Sequence, residues 1–199
     1  MIELEVTLDS NGELYSNESL IKGILRNMDF TRGYSTCDGG KPGYIGKGKR
    51  ADVIRALGFS DHPTESECAS KMKTFELQAY PGYKFTLHKD LVDEVQSIYK
   101  ELKDLNVNLN KYQGSYCYRT INNPYNPSKV LSMHSFGCAI DLNYNLNPFT
   151  KNPKIKTDDT IQGIVRTPDS PIVKIFEKYG WGWGGRYGDY MHFSKANGS

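Results

Sequence analysis

The order of periodic segments predicts an α+β fold: a small antiparallel sheet flanked by helices, with an N-terminal extension ahead of it. Three observations carry that expectation. A sustained apolar stripe at helical spacing runs from Leu91 to Leu105. Short β-rich runs occupy residues 115–121 and 138–143, and a last one runs from Asp189 to Ser194. Between them, Ser170-Pro171 reads as a cap followed by proline at the first helical position. The chain has 199 residues, 38% hydrophobic and 24% charged, which is enough for one domain with a real core and argues against disorder along its whole length.

Each element has a local reason. Ile2, Leu4, Val6 and Leu8 alternate with Glu3, Glu5 and Thr7, the period of a half-buried strand, and Asp9-Ser10-Asn11-Gly12 breaks it as a turn. Leu20, Ile21, Ile24, Leu25 and Met28 repeat at helical spacing behind the caps Ser16 and Asn17. Residues 33–50, rich in Gly and Lys, read as a loop. A short helix follows, with Val53, Ile54 and Leu57 on one face and Gly58 as its stop. Thr64 and Glu67 form a capping box ahead of Cys68, Met72 and Phe75. In the long helix, Leu91, Val92, Val95, Ile98, Tyr99, Leu102 and Leu105 make the buried face. Asp90 is its expected cap, with Asp93 and Glu94 early and Lys100 and Lys103 late, as the helix dipole favours. The helix after Ser170 presents Ile172, Ile175, Phe176 and Tyr179 and ends at Gly180.

Composition removes several functions. Lys plus Arg is 25 against 23 for Asp plus Glu, a formal charge of only +2, without the basic excess of a nucleic-acid binder. No apolar run reaches the ~18–20 residues of a membrane span. Met1-Ile2-Glu3-Leu4-Glu5 has neither the basic start nor the apolar stretch of a secretory signal, so the expectation is a protein made in the cytoplasm. Cys37, Cys68, Cys117 and Cys138 are scattered and form no Cys-x-x-Cys pair, so reduced thiols are expected. Gly43 to Lys49 has the spacing of a phosphate loop, but Arg50 stands where Ser or Thr must meet magnesium, and no apolar strand precedes it. Asn17-Glu18-Ser19 is a glycosylation sequon that means little without a secretory signal.

Four histidines remain: His62, His88, His134 and His192. The first two have no chemical neighbourhood and read as structural or surface residues. His134 lies in Ser132-Met133-His134-Ser135-Phe136-Gly137-Cys138-Ala139-Ile140-Asp141. Gly137 lets the chain bend back, and on the strand beyond it Cys138, Ile140 and Leu142 share one face and Ala139 and Asp141 the other, so His134 and Asp141 can reach one point. A bend near Tyr190 in Asp189-Tyr190-Met191-His192-Phe193 would bring His192 to the same place, with Asp189 beside it. Two imidazoles, one carboxylate and an open fourth position make a catalytic zinc site, although such mixed nitrogen and oxygen ligands also accept cobalt or manganese.

Ser-x-His-x-x-Gly-x-Ala-x-Asp at 132–141, with Asp-x-x-His-Phe at 189–193, resembles the zinc D-Ala-D-Ala carboxypeptidase and L-alanyl-D-glutamate endopeptidase family, peptidoglycan peptidases of the hedgehog/DD-peptidase fold, many of them bacteriophage endolysins. Tyr116-Cys117-Tyr118-Arg119 looks like the family's arginine-bearing strand, the run Trp181 to Gly185 fits before the last histidine, and Leu87-His88-Lys89-Asp90-Leu91 resembles the start of its first long helix. The resemblance covers about residues 75–199. It implies one zinc per chain held by His134, Asp141 and His192, with Asp189 as general base. Arg119 would hold a substrate carbonyl or carboxylate and stabilise the oxyanion, Ser132 would bond the substrate or support the site, and Trp183 would line the cleft. The implied partner is the stem peptide of bacterial peptidoglycan, reached after release or delivery to the wall, with no nucleic acid and no membrane span. Residue 189 as Asp points to the endopeptidase branch, since the carboxypeptidase branch more often carries Glu. A D-Ala-D-Ala carboxypeptidase, a non-catalytic zinc-bearing wall module and a phage structural module are the alternatives. Residues 1–65 depart from the small members of the family and form an extension without an assigned role, ahead of a catalytic domain at 66–199.

Overall fold

A short helix, α1 (Lys49–Ala56), precedes the two hairpin and sheet units of the domain, and Gly58 ends it at φ +75°, a conformation glycine adopts without strain. The structure is a computed structural model that describes residues 7–8, 14–15, 49–121 and 130–196. Within the N-terminal extension, β1 (Thr7–Leu8) pairs antiparallel with β2 (Leu14–Tyr15). The rest of the expected first strand and its turn, the helix over 20–28 and nearly all of the 33–50 loop lie outside the described residues. α1 starts inside the last two residues assigned to that loop.

Thr64 caps α2 (Glu65–Ser70), its Oγ1 accepting from the Glu67 amide at 3.2 Å. The reciprocal half of the expected box is replaced. The Glu67 carboxylate accepts instead from the Ser60 amide and hydroxyl, both at 2.7 Å, and these bonds lower its pKa. Met72 and Phe75 do not continue this helix. They lie on β3 (Met72–Glu76), which pairs antiparallel with β4 (Lys84–His88), a hairpin the sequence reading does not contain. Phe85 and Leu87 alternate with Lys84 and Thr86 and turn their apolar side chains into the core.

The entry to the long helix differs from expectation in one residue. His88, not Asp90, supplies the cap: its Nδ1 accepts from the Asp90 amide at 3.3 Å, a 3₁₀ turn follows at Lys89–Leu91, and α3 (Val92–Asp104) continues. α3 buries Val92, Val95, Ile98, Tyr99 and Leu102 at the predicted spacing, while Leu105 falls past its end and is exposed. Residues 115–121 form no ladder, contrary to the strand expected there. The segment runs between two neighbours and bonds to each in turn: the Tyr116 amide donates to the Thr86 carbonyl at 2.9 Å, and Gly114 and Thr120 make isolated bridges to Asp141 and Leu131.

The third sheet, of three strands, is antiparallel, with β7 (His192–Ser194) between β5 (Ala139–Asp141) and β6 (Gly182–Trp183). α4 (Pro171–Lys178) precedes β6, with Ser170 at its N-cap position and Gly180 at φ +75° beyond its end. Only the last three residues of the run from Asp189 are a strand; Asp189 to Met191 form the expected bend. One aromatic core joins these layers. Phe176 of α4 stacks on Phe193 of β7 at 3.9 Å and meets Tyr99 of α3 edge-on at 6.4 Å. Val53, Ile54, Leu57 and Phe59 belong to the same buried cluster, so the packed unit reaches N-terminal of residue 66. Lys195, wholly buried, places Nζ 2.9 Å from Glu94 Oε1, the oxygen to which Trp181 Nε1 also donates, and so ties α3 to the end of β7. Cys68, Cys117 and Cys138 are free thiols. Among the described residues no helix is long and apolar enough to cross a membrane.

His88 makes the fold sensitive to acid. It is buried, with Phe59 edge-on at 5.5 Å, and burial pushes its pKa from 6.5 down to about 4 against the pull of the Asp90 carboxylate and the Leu57 carbonyl. Between those values the unfolded chain binds a proton that the folded chain refuses, so stability falls as pH drops through this window. Urea unfolding at pH 7 and pH 4 should therefore show the wild type losing about 3 kcal/mol more than His88→Gln over that interval. Equal losses in the two proteins would remove His88 as the cause.

Candidate metal centre

The site is built on a reversal of the chain. His134 sits in a 3₁₀ turn, Met133–Phe136, that Ser132 caps by accepting from the His134 amide at 3.4 Å. Gly137 closes the turn at φ +61°. A Cβ there would fall on the Met72 sulfur and the His88 backbone nitrogen, so only glycine lets the chain pass. The reversal launches β5, whose last residue, Asp141, is paired opposite His192 of β7.

Three side chains converge. His134 Nδ1 lies 2.7 Å from the Ser115 carbonyl, which can only accept; Nδ1 therefore carries the proton and Nε2 the lone pair. That Nε2 is 3.2 Å from Asp141 Oδ1, and His192 Nδ1 is 3.2 Å from the same oxygen. The imidazole centroids are 5.1 Å apart, and one ligand atom from each of the three residues lies within 4.8 Å of the others. Both rings are buried, and the Nε2 atoms of both have no hydrogen-bond partner among the described residues. His134 Nε2, the nitrogen turned toward Asp141, is one of these, and an orphaned buried nitrogen is costly unless something else fills its coordination. A tetrahedral zinc with bonds of ~2.0–2.1 Å separates its donors by about 3.3 Å, so the donor types and their spacing fit that ion.

The electrostatics follow from this packing. Burial works to raise the Asp141 pKa, but the imidazoles of His134 and His192 beside its carboxylate prevail and hold it far below the ordinary carboxylate range. Burial works to lower that of His192, yet the bond to Asp141 and the Asp189 charge leave it raised above 6.5. Asp189 is raised, chiefly by burial and also by Asp141, against His192, His134 and Arg119. It thus lies within electrostatic reach of the cluster.

The remaining predicted residues fall into different places. Arg119 is fixed through its backbone: its amide donates to Ser135 Oγ at 2.9 Å and its carbonyl accepts from the Ser132 amide at 2.9 Å. Its guanidinium is exposed, and its charge reaches Asp189 and His192. Ser132 is buried, with its hydroxyl engaged in the cap. Trp183 is 3% exposed on β6; its Nε1 donates to the Tyr190 carbonyl at 2.9 Å, and its ring covers Gly185, where a Cβ would strike it. His62 is exposed and far in character from any cluster. Arg50 is buried, donates to the Leu131 carbonyl and lies over the Phe136 ring at 6.0 Å, behind the His134 turn.

Two contributors were missed by sequence reasoning. Ser115 acts through its carbonyl, which no side-chain pattern announces. Gly114 exchanges both backbone hydrogen bonds with Asp141, at 2.8 and 3.0 Å, and a Cβ on it would come within 2.7 Å of Asp141 Oδ2. The available signal was a glycine at the head of a β-rich run, which marks a close approach of another chain segment.

Residues 126–195 match a family model described as D-alanyl-D-alanine carboxypeptidase. The matched stretch holds His134, Asp141, Asp189 and His192. No curated protein and no solved structure matches the chain. The match supports the zinc DD-peptidase family and, in general terms, a peptidase acting on peptidoglycan.

Gly114→Ala should displace the Asp141 carboxylate without emptying the core. Zinc titration monitored by a chromophoric chelator should show affinity reduced about 10–100-fold, the range for disturbed ligand support, with the unfolding midpoint nearly unchanged. Unaltered affinity would mean that Asp141 does not depend on this contact.

Proposed function

We propose that the chain is a zinc-dependent peptidase that cuts the stem peptide of bacterial peptidoglycan, as an L-alanyl-D-glutamate endopeptidase of endolysin type. The observation that carries this reading is the meeting of two buried imidazole nitrogens on one carboxylate oxygen with Asp189 within electrostatic reach of them. His134 Nε2, Asp141 and His192 Nδ1 would hold one zinc ion. When bound, zinc supplies Lewis acidity that polarises a peptide carbonyl and acidifies water. Asp189, close to the ligands but not among them, takes the proton of the attacking water on a carboxylate oxygen and returns it to the leaving amine nitrogen. Arg119 presents a guanidinium on the exposed side of the site, where it holds a substrate carboxylate or carbonyl and stabilises negative charge as it develops. Ser132 and Trp183 support the site from behind: Ser132 fixes the turn that presents His134, and Trp183 anchors the bend beside Asp189. Asp at 189 favours the endopeptidase, because its carboxylate is one methylene shorter than the Glu common in the carboxypeptidase branch. The matched family description favours D-Ala-D-Ala carboxypeptidase as the second reading. Mass spectrometry of muropeptides after digestion of purified walls decides between them: new N-terminal D-Glu identifies the first, loss of the terminal D-Ala the second, and intact stems refute both.

Metal and chemistry separate by mutation. The purified protein should carry about one zinc per chain. His134→Ala should lose it. Asp189→Asn should keep both zinc and fold yet lose activity about 10²–10⁴-fold. Zinc loss in Asp189→Asn would make Asp189 a ligand, and full turnover would take it out of the reaction.

The acid limb of activity has a definite sign. The raised pKa of His192 means that protons compete for its lone pair at a higher pH than for an ordinary histidine of 6.5. Activity should therefore decline as pH falls through this value, and excess zinc should restore it by mass action. A decline that persists with zinc bound would place the limb on Asp189 instead.

A further inference from the structure

The bend that presents Asp189 is held from one side by β6 and β7. The Asp189 amide donates to the Gly184 carbonyl at 3.1 Å, the His192 amide to the Asp189 carbonyl at 3.3 Å, and Trp183 Nε1 to the Tyr190 carbonyl. From the other side it is held by the long segment between β5 and α4. Phe149 bridges Asp189, and the Thr150 amide donates to the Gly188 carbonyl at 2.7 Å. Gly188 sits at φ +86°, where a Cβ would strike the Thr150 carbonyl oxygen at 2.8 Å.

That segment has no helix or named strand, and its shape depends on a buried cation. Arg166 is 8% exposed. Its Nε donates to the Ile155 carbonyl at 2.6 Å, Nη2 to the Leu146 carbonyl at 2.6 Å, and Nη1 to Asn147 Oδ1 at 2.9 Å. Asn147 in turn donates to the Leu142 and Gly163 carbonyls at 2.9 and 2.8 Å. These neutral acceptors come from both limbs of the segment. The guanidinium carbon lies 5.0 Å from the centroid of Tyr190, the residue next to Asp189, and that ring also neighbours Trp183, centroid to centroid 5.9 Å at a tilt of 59°. Tyr190 therefore meets both the buried cation of one segment and the indole of another.

We infer that Arg166, acting through the Tyr190 ring, is a positioning residue that fixes the bend presenting the Asp189 carboxylate to the metal cluster. The catalytic consequence rests on the proposed peptidase reading; the mechanical one does not. A cation over an aromatic face is attracted by the ring's negative π cloud, and burial of the pair strengthens that attraction, which favours one conformation of a short bend. The phenol hydroxyl is not needed for that grip, whereas the π face is.

Tyr190→Phe and Tyr190→Leu test this, with Arg166→Lys as the partner change, each in the full chain loaded with zinc. Hydrogen exchange read by mass spectrometry should quicken about tenfold or more over residues 184–192 in Tyr190→Leu and Arg166→Lys, while α3 stays protected and Tyr190→Phe matches the wild type. On wall substrate, kcat should fall about 10–100-fold in Tyr190→Leu, as expected for a misplaced reacting group, with KM and zinc content within about twofold and Tyr190→Phe near normal. Combining Tyr190→Leu with Arg166→Lys should add little to either alone. If Tyr190→Leu leaves exchange in 184–192 unchanged, the brace is refuted. A loss carried by KM or by zinc content, or fully additive losses in the double variant, would equally overturn it. Should Arg166→Lys fail to fold, the Phe and Leu variants at 190 still decide. Wild-type inactivity on every wall tested, with the exchange pattern as expected, would refute the peptidase reading and leave the brace standing.

Discussion

One carboxylate oxygen, Asp141 Oδ1, lies within 3.2 Å of nitrogens from two buried imidazoles, and much of the surrounding structure exists to keep it there. The pairing of Asp141 with His192 depends on strand register, and strands of three residues cannot secure register by their own ladder. A slip of one residue would send Asp141 to the opposite face. The register is bracketed at both ends instead: the Leu142 amide on the Met191 carbonyl and the Lys195 amide on the Cys138 carbonyl, both at 2.9 Å, carry the β5–β7 pairing one residue further each way, and the pair of hydrogen bonds between Gly114 and Asp141 ties the same strand to a second segment. The position of one oxygen is thus shared between two segments.

The same division between a dry core and a polar centre runs through the molecule. In one region Phe176, Phe193, Trp181 and Tyr99 pack ring against ring. In another, Asn143, Asn147 and Arg166 form a buried polar knot whose acceptors are mostly carbonyls. Asn143 is held at φ +44°, a conformation Asn tolerates better than most residues, with Nδ2 on the Asn108 carbonyl at 3.0 Å. Glu94 and Lys195 carry a compensated charge pair within the aromatic region. A buried pair of this kind specifies which helix meets which strand more surely than it adds stability.

What was legible in the sequence follows this division. α3 and α4 could be read because their apolar residues recur every three or four positions and end at recognisable signals such as Gly180. The clustering of His134, Asp141 and His192 could be read because Gly137 stands between the first two and because Asp189 and His192 lie together in one short run. The β3–β4 hairpin could not: Lys73-Thr74 interrupts the alternation of the first strand, and the alternation of Phe85 and Leu87 with Lys84 and Thr86 is too short to stand out where Leu87-His88 leads straight into a helix. Gly114, Ser115 and Ser135 act through backbone or short hydroxyl contacts that become visible only when distant segments meet. Asn147 and Arg166 were hidden for the opposite reason, since polar residues in an irregular stretch look like solvent-facing loop until their burial is known.

The knot around Arg166 changes how the irregular stretch should behave toward other enzymes. A long connection without helix or strand is the usual place for a protease to nick a domain. Here the carbonyls of Leu146, Ile155 and Gly163 are bound by buried side chains, so a protease cannot draw the chain into an extended conformation without first dissolving the knot. Cleavage then tracks the population of a locally opened form rather than the length of the connection. Resistance to digestion would here be encoded by two polar side chains, Arg166 and Asn147.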